Sequence, residues 1–203
     1  MADPLHLVVN RCIQRGDALD LIGELVEPVD LIVTDPPYAF DGQGDEHALT
    51  ATVAIVLREA AKKLRQGRFM VVFCASSWRS QAYMVESVRG VVQPVRTGTW
   101  CKPTCRTKTR TPGWSWASVQ AIVFRKGKAE KDVLPSAVLD HITIPPITVG
   151  RRAKLPTEVA DWAVFPFAVP DGLMLDPFAG SGMLLNAAER AGMRALGYER
   201  QGT

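Results

Sequence analysis

The chain has 203 residues, 47% of them hydrophobic and 22% charged, with a formal net charge of +3. That balance suits a soluble globular chain of one domain and excludes a disordered one; the longest uncharged apolar stretches, such as 70–75 and 163–170, fall far short of the ~18 residues of a membrane span. The start, Met-Ala-Asp-Pro, lacks the basic and apolar regions of a signal peptide, and Cys12, Cys74, Cys101 and Cys105 make no disulfide framework, so a reduced, cytoplasmic protein is expected.

In chain order, residues 5–10 read as a short buried strand. Asp17 opens a helix running to about Val26, with Asp20 in its first turn and Pro28 just past its end. Residues 29–34 form a continuous apolar run stopped by prolines, hence a buried strand. Residues 42–45 are a polar loop. Val53, Val56, Ala60 and Leu64 repeat at helical spacing and predict a helix over 49–66, with Gly67 as its stop. A strand follows at 69–74, a helix at 78–89 and another strand at 119–124. The stretch 102–118, rich in Thr, Pro, Gly and basic residues, reads as a loop. Residues 125–150 read as irregular. Thr157 caps a predicted helix over 158–165 that Pro166 ends. A strand at 173–176, a tight turn at 177–182, a helix at 183–191 and a strand at 194–199 complete the chain. Strands alternating with helices, apolar on both faces, imply an α/β fold with a mainly parallel, doubly wound sheet.

The charge is unevenly spread. Residues 96–131 carry nine basic side chains against the single acid Glu130, interleaved with Trp100, Trp114 and Trp116, while the flanking regions are net acidic. Such a segment suits a phosphate backbone.

Two corners carry chemistry. Asp176-Pro177-Phe178-Ala179-Gly180-Ser181-Gly182 lies between a strand and a helix, where glycines let the backbone approach a ligand at a helix N-terminus. Glu199 ends the next strand, at the distance typical of an acid on a ribose hydroxyl. Leu185 stands where a dinucleotide fingerprint needs a third glycine, and there is no Walker lysine. An adenosine ligand without an essential phosphate therefore fits better than NAD or ATP. The second corner, Asp35-Pro36-Pro37-Tyr38, closes a buried strand at its carboxyl end. Its carboxylate and prolyl carbonyl can grip an amino group with two N–H donors, and Tyr38 offers a stacking face for an extruded base.

Together these residues resemble the amino-group DNA methyltransferases, which move a methyl group from S-adenosylmethionine to adenine N6 or cytosine N4. The order here, tetrad first and glycine turn last, is similar to the family's circularly permuted beta class. The resemblance spans residues 16–199 and implies a Rossmann-like methyltransferase fold. It assigns Asp35, Pro36, Pro37 and Tyr38 to the target-base clamp and catalysis. It assigns Asp17, Asp35, Lys154, Thr157, Asp176, Pro177, Phe178, Ala179, Gly180, Ser181, Gly182 and Glu199 to the cofactor, and Lys102, Arg106, Lys108 and Arg110 to DNA. Trp100-Cys101-Lys102 is similar to the Trp-x-Lys that precedes the family's DNA-facing loop. Leu155 interrupts the usual Lys-Pro pair, Met183 replaces a common threonine, and Gln120 stands where glutamate is frequent.

The segment at about 125–150 is short for a target-recognition region. That implies a short or relaxed target sequence, or a partner supplying specificity; a homodimer is a further expectation. Aspartate at the head of the tetrad favours adenine N6 within the family. Cytosine N4, an amino group of RNA or protein, and a catalytically inactive DNA-binding protein remain alternatives. No metal is expected, because Cys101 and Cys105 lack a second pair of ligands nearby. The compact chain is compatible with a phage, a mobile element or a restriction–modification pair.

Overall fold

The computed structural model describes residues 11–37, 46–103, 117–129, 138–149 and 152–200. The strand expected at 5–10, the loop at 42–45, and Tyr38, Arg106, Lys108, Arg110, Trp114 and Trp116 lie outside the described residues. The elements in chain order are β1 (Arg11–Arg15), α1 (Ala18–Glu24), β2 (Val29–Thr34), α2 (Glu46–Lys63), β3 (Leu64–Ala75), α3 (Trp78–Ser87), β4 (Gln93–Cys101) and β5 (Ser118–Arg125). There follow β6 (His141–Thr143), β7 (Ile147–Val149), β8 (Arg152–Lys154), α4 (Thr157–Val164), a 3-10 turn (Phe165–Phe167), β9 (Leu173–Asp176), α5 (Met183–Arg190) and β10 (Arg194–Glu199).

Eight strands make one sheet in the order β1-β10-β9-β2-β3-β5-β4-β6, and only β5 runs against the others. β7 and β8 form a separate antiparallel hairpin. Alternate side chains of the central strands feed two apolar clusters, one on each face. Ile32, Met70, Val72 and Ile122 pack toward α1, α2 and α3, whereas Leu31, Val71, Phe73 and Met174 pack toward α4 and α5. This three-layer arrangement follows from β2 and β9 being buried along their whole length, which requires cover on both sides. Among the described residues, no helix is long and apolar enough to cross a membrane.

Several boundaries differ from those predicted. α2 ends at Lys63, and Gly67 lies inside β3 with φ 77°. The helix is closed instead by Lys126, whose ammonium donates to the carbonyls of Lys62 and Leu64 at 2.7 Å each and of Ala61 at 3.4 Å. Gly67 serves a bulge: Val29 pairs with Leu64, but Leu31 pairs with Phe69, so β3 spends extra residues there. Thr157 is the first residue of α4 and not its cap; Pro156 holds the N-cap position with extended backbone and no side-chain bond. Residues 125–150 are not irregular throughout. β6 adds to the edge of β4 through Trp100 and Ile142, and Pro145 and Pro146 fall between β6 and β7.

The glycine turn is seated on β10 through a single missing methyl group. A Cβ on Gly197 would stand 2.6 Å from both the Ala179 Cβ and a Leu185 methyl. We expect Gly197→Ala to push this turn off the sheet, at a cost of about 1–3 kcal/mol for overpacking. Thermal denaturation should show a Tm lower by roughly 2–12 °C for a chain of this size; an unchanged Tm would refute the tight seating.

Candidate active site

β2 and β9 are parallel neighbours, with Leu31 opposite Met174 and Ile32 opposite Leu175. Their carboxyl ends therefore emerge together, and with them the two corners singled out in the sequence, although about 140 residues separate them. Thr34, fully buried, donates its hydroxyl to Asp176 Oδ1 at 2.7 Å. The same oxygen accepts the Phe178 N–H at 3.1 Å, which starts the glycine turn. One carboxylate thus holds the residue before Asp35 and the backbone after itself.

The turn continues with Gly180 at φ 48° and Gly182 at φ 75°, conformations that disfavour a side chain. Gly182 is the N-cap of α5, so the first amides of that helix face the end of the sheet where the corners lie. Glu199 Oε2 accepts the Gly180 N–H at 2.7 Å, and the Glu199 carbonyl accepts the Gly16 N–H at 3.1 Å. Gly16, Gly180 and Glu199 are thereby gathered at one point. The Asp17 carboxylate caps α1 through the Leu19 N–H at 2.8 Å. Lys154 ends β8 and is exposed, and Thr157 opens α4 beyond Pro156.

The electrostatics place three acids at this end of the sheet. Burial raises the Asp176 carboxyl to about 7; the Thr34 hydroxyl and Phe178 N–H oppose that rise, and the charges of Asp35 and Glu199 add to it. Cys74, at the carboxyl end of β3, is pushed up to about 12, first by burial and then by the charge of Asp35. It is a neutral thiol within electrostatic reach of Asp35, not a nucleophile.

A polar cluster escaped sequence reasoning. Gln120, paired with Cys74 across β3 and β5, donates to Ser76 Oγ at 3.2 Å and accepts from Thr99 Oγ1 at 3.1 Å. Ser76 and Ser118 share a hydrogen bond of 2.8 Å. An amide, unlike a carboxylate, can donate and accept at once, which suits Gln120 to this position. Next to it, Trp100 donates to the Ile144 carbonyl at 2.8 Å, and the Lys102 ammonium lies 4.5 Å from the Trp100 ring centroid. The Lys102 N–H bonds the Ala117 carbonyl at 2.7 Å, closing the root of the basic segment. Trp162 packs over Gly98 and donates to the Leu139 carbonyl at 2.9 Å. A cavity of about 400 Å³ lies beside it on the α4 face, lined by Phe69, Val71, Val123 and Phe167 and by none of the residues of the two corners. Among the described residues, no cluster of side chains could hold a metal ion.

No protein-family model matches the chain, and no curated relative matches it. Solved structures do. A complex of M1.HpyAVI with SAM is 18% identical, with a TM-score of 0.76 over 94% of this chain and 93% of that one. A candidate DNA modification methylase from Thermus thermophilus, complexed with S-adenosyl-L-methionine, is 25% identical, with a TM-score of 0.71 over 94% and 89%. The cytosine-N4-specific PvuII DNA methyltransferase is 19% identical, with a TM-score of 0.71 over 95% and 82%. The fold of this chain is the one these proteins share.

Removing the Thr34 hydroxyl should leave Asp176 with one lowering influence fewer. In Thr34→Val the Asp176 carboxyl should titrate above the wild-type value of about 7 in carboxyl-selective NMR. The folded value lies above the unfolded one. The group's contribution to stability is therefore complete below about pH 4 and is lost as pH rises through about 7. Asp176→Asn should abolish that pH dependence. An identical titration in Thr34→Val would show that the bridge does not form in solution.

Proposed function

We propose that this chain is an amino-group DNA methyltransferase of the permuted beta class, transferring a methyl group from S-adenosylmethionine to adenine N6. The observation that carries the proposal is the Thr34–Asp176 hydrogen bond, which puts the acid-prolyl corner beside the glycine turn. Support also comes from the common fold, whose neighbours include a complex with S-adenosylmethionine and DNA methyltransferases.

The residues present suit this donor. A ligand carrying a sulfonium and an ammonium brings positive charge to Asp35, Asp176 and Glu199; the charges of Asp35 and Glu199 oppose the ionisation of Asp176. Glu199 engages one carboxylate oxygen with Gly180, and its second oxygen is the acceptor assigned to a ribose hydroxyl. Gly180 and Gly182 keep side chains away from the ligand's path. Asp17, Lys154, Thr157, Pro177, Phe178, Ala179 and Ser181 are assigned to the same ligand by resemblance. S-adenosylmethionine, when bound, supplies an electrophilic methyl group on sulfur.

The chain's own work lies with the amine. Asp35 and the Pro36 carbonyl accept the two hydrogens of the exocyclic nitrogen, while Tyr38 stacks on the extruded base. Pro36 and Pro37 stiffen the corner. An aniline-like nitrogen delocalises its lone pair into the ring; two acceptors on its hydrogens favour a pyramidal geometry and free that pair. The nitrogen–carbon bond forms as the sulfur–carbon bond breaks, so holding the nitrogen in line is the main contribution. One proton then leaves the nitrogen, to Asp35 or to water. Lys102, Arg106, Lys108 and Arg110 are assigned to phosphates.

The choice of adenine over cytosine N4 rests on Asp35 heading the tetrad. Incubating the chain with methyl-labelled S-adenosylmethionine and unmodified duplex DNA, followed by nucleoside mass spectrometry, should reveal N6-methyladenine. N4-methylcytosine would transfer the same mechanism to the other base, and no labelled nucleoside would refute the proposal. At saturating cofactor, Asp35→Ala should lower turnover by at least about 100-fold, the scale of a lost positioning or proton-accepting group, a loss larger than that in cofactor affinity. Normal methyl transfer by that variant would exclude the clamp.

A further inference from the structure

Trp78 is 87% exposed, the most exposed aromatic side chain among the described residues. Nothing in its own fold explains a large apolar ring in solvent at the first position of α3. Its backbone is nonetheless held firmly. Ser77 caps the helix through the Ser80 N–H at 3.1 Å, and the two serine hydroxyls bond at 2.8 Å. An exposed ring on a backbone anchored in this way suits stacking on a partner, because the helix start need not be ordered on contact and an indole has only two side-chain torsions to fix.

Its place indicates the partner. Trp78 follows the carboxyl end of β3, where Cys74 feels the charge of Asp35. Ser76, two residues before it, is bonded to Ser118, which follows directly on the basic segment whose root Lys102 and Ala117 close. Trp78 therefore follows β3 between the Asp35 corner at the end of β2 and the root of the 102–117 segment, which carries Lys102, Arg106, Lys108 and Arg110 and no acid. Arg79 beside it is also exposed. A partner that is polyanionic and offers flat rings is a nucleic acid.

We propose that Trp78 stacks on a nucleobase flanking the target and that Arg79 contacts a neighbouring phosphate. This rests on the DNA methyltransferase function proposed above. Extruding the target base removes a stacking partner from the bases beside it, and an indole at the lip of the site replaces what they lose.

The test uses the full chain with unmodified duplex oligonucleotides and S-adenosylmethionine. Trp78→Ala should weaken DNA binding roughly 5- to 100-fold and raise the KM for DNA, with cofactor affinity unchanged. Trp78→Phe, which keeps a stacking face, should retain most of the affinity. The salt dependence of binding should keep its slope in Trp78→Ala and flatten by about one phosphate in Arg79→Ala. The difference in tryptophan emission between wild type and Trp78→Phe should be quenched by the oligonucleotide. Wild-type methylation together with DNA binding by Trp78→Ala within twofold of normal overturns the contact alone. A wild-type chain that binds the cofactor but neither binds nor methylates DNA overturns the proposed function, and the contact with it.

Discussion

One buried hydrogen bond, from the Thr34 hydroxyl to Asp176, joins the two halves of the site. It exists because β2 and β9 pair directly, in register, at the middle of the sheet. Neither strand is adjacent to the other in sequence, so the site forms only when the whole sheet has assembled. A long-range pairing of this kind is slow to reach, and it is protected once formed by burial on both faces. Every other feature of the site hangs from it. Asp35 follows Thr34, the glycine turn follows Asp176, and Glu199 closes the turn from β10.

The bond also sets the electrostatics. Three carboxylates converge at the carboxyl end of the sheet, and the most buried of them resists ionisation. Such an arrangement is unfavourable on its own and favourable toward a cation. The fold therefore holds a cluster of acids in reserve, kept in place by a hydroxyl and two backbone N–H groups. On the far side of Cys74, the neutral cluster of Gln120, Ser76, Thr99 and Ser118 links β3, β4 and β5 without adding charge.

β2 and β9 were legible because burial on both faces leaves an apolar run, and β10 because it lies between Gly192 and the acid Glu199; all three match the sequence-based boundaries residue for residue. The edges were not legible. β1 is exposed along its length, and β4 carries Pro94 and Gly98 and buries few side chains, so neither shows an apolar run. β6 was missed because three residues, of which only Ile142 is partly buried, carry no periodicity of their own and rely on β4 for pairing. Gly67 was misread because a positive-φ glycine serves a bulge as well as a helix end; the lysine that does close α2 comes from just past the end of β5. Both corners of the site were legible as motifs. What sequence alone could not supply was the Thr34 hydroxyl between them, since a threonine ending a buried strand is ordinarily only a β-former. Likewise Gln120 looked like a departure from a family pattern, and its role as joint donor and acceptor needed its neighbours.

The most direct measurement is a crystal structure of the chain bound to S-adenosylmethionine. The adenosine should lie along the Asp176–Gly182 turn, a ribose hydroxyl should meet Glu199, and the sulfonium methyl should face Asp35. A nitrogen held by Asp35 and Pro36 would then sit about 3–3.5 Å from the methyl carbon. A ligand seated elsewhere on the sheet, or one whose sulfonium turns away from Asp35, would contradict that arrangement.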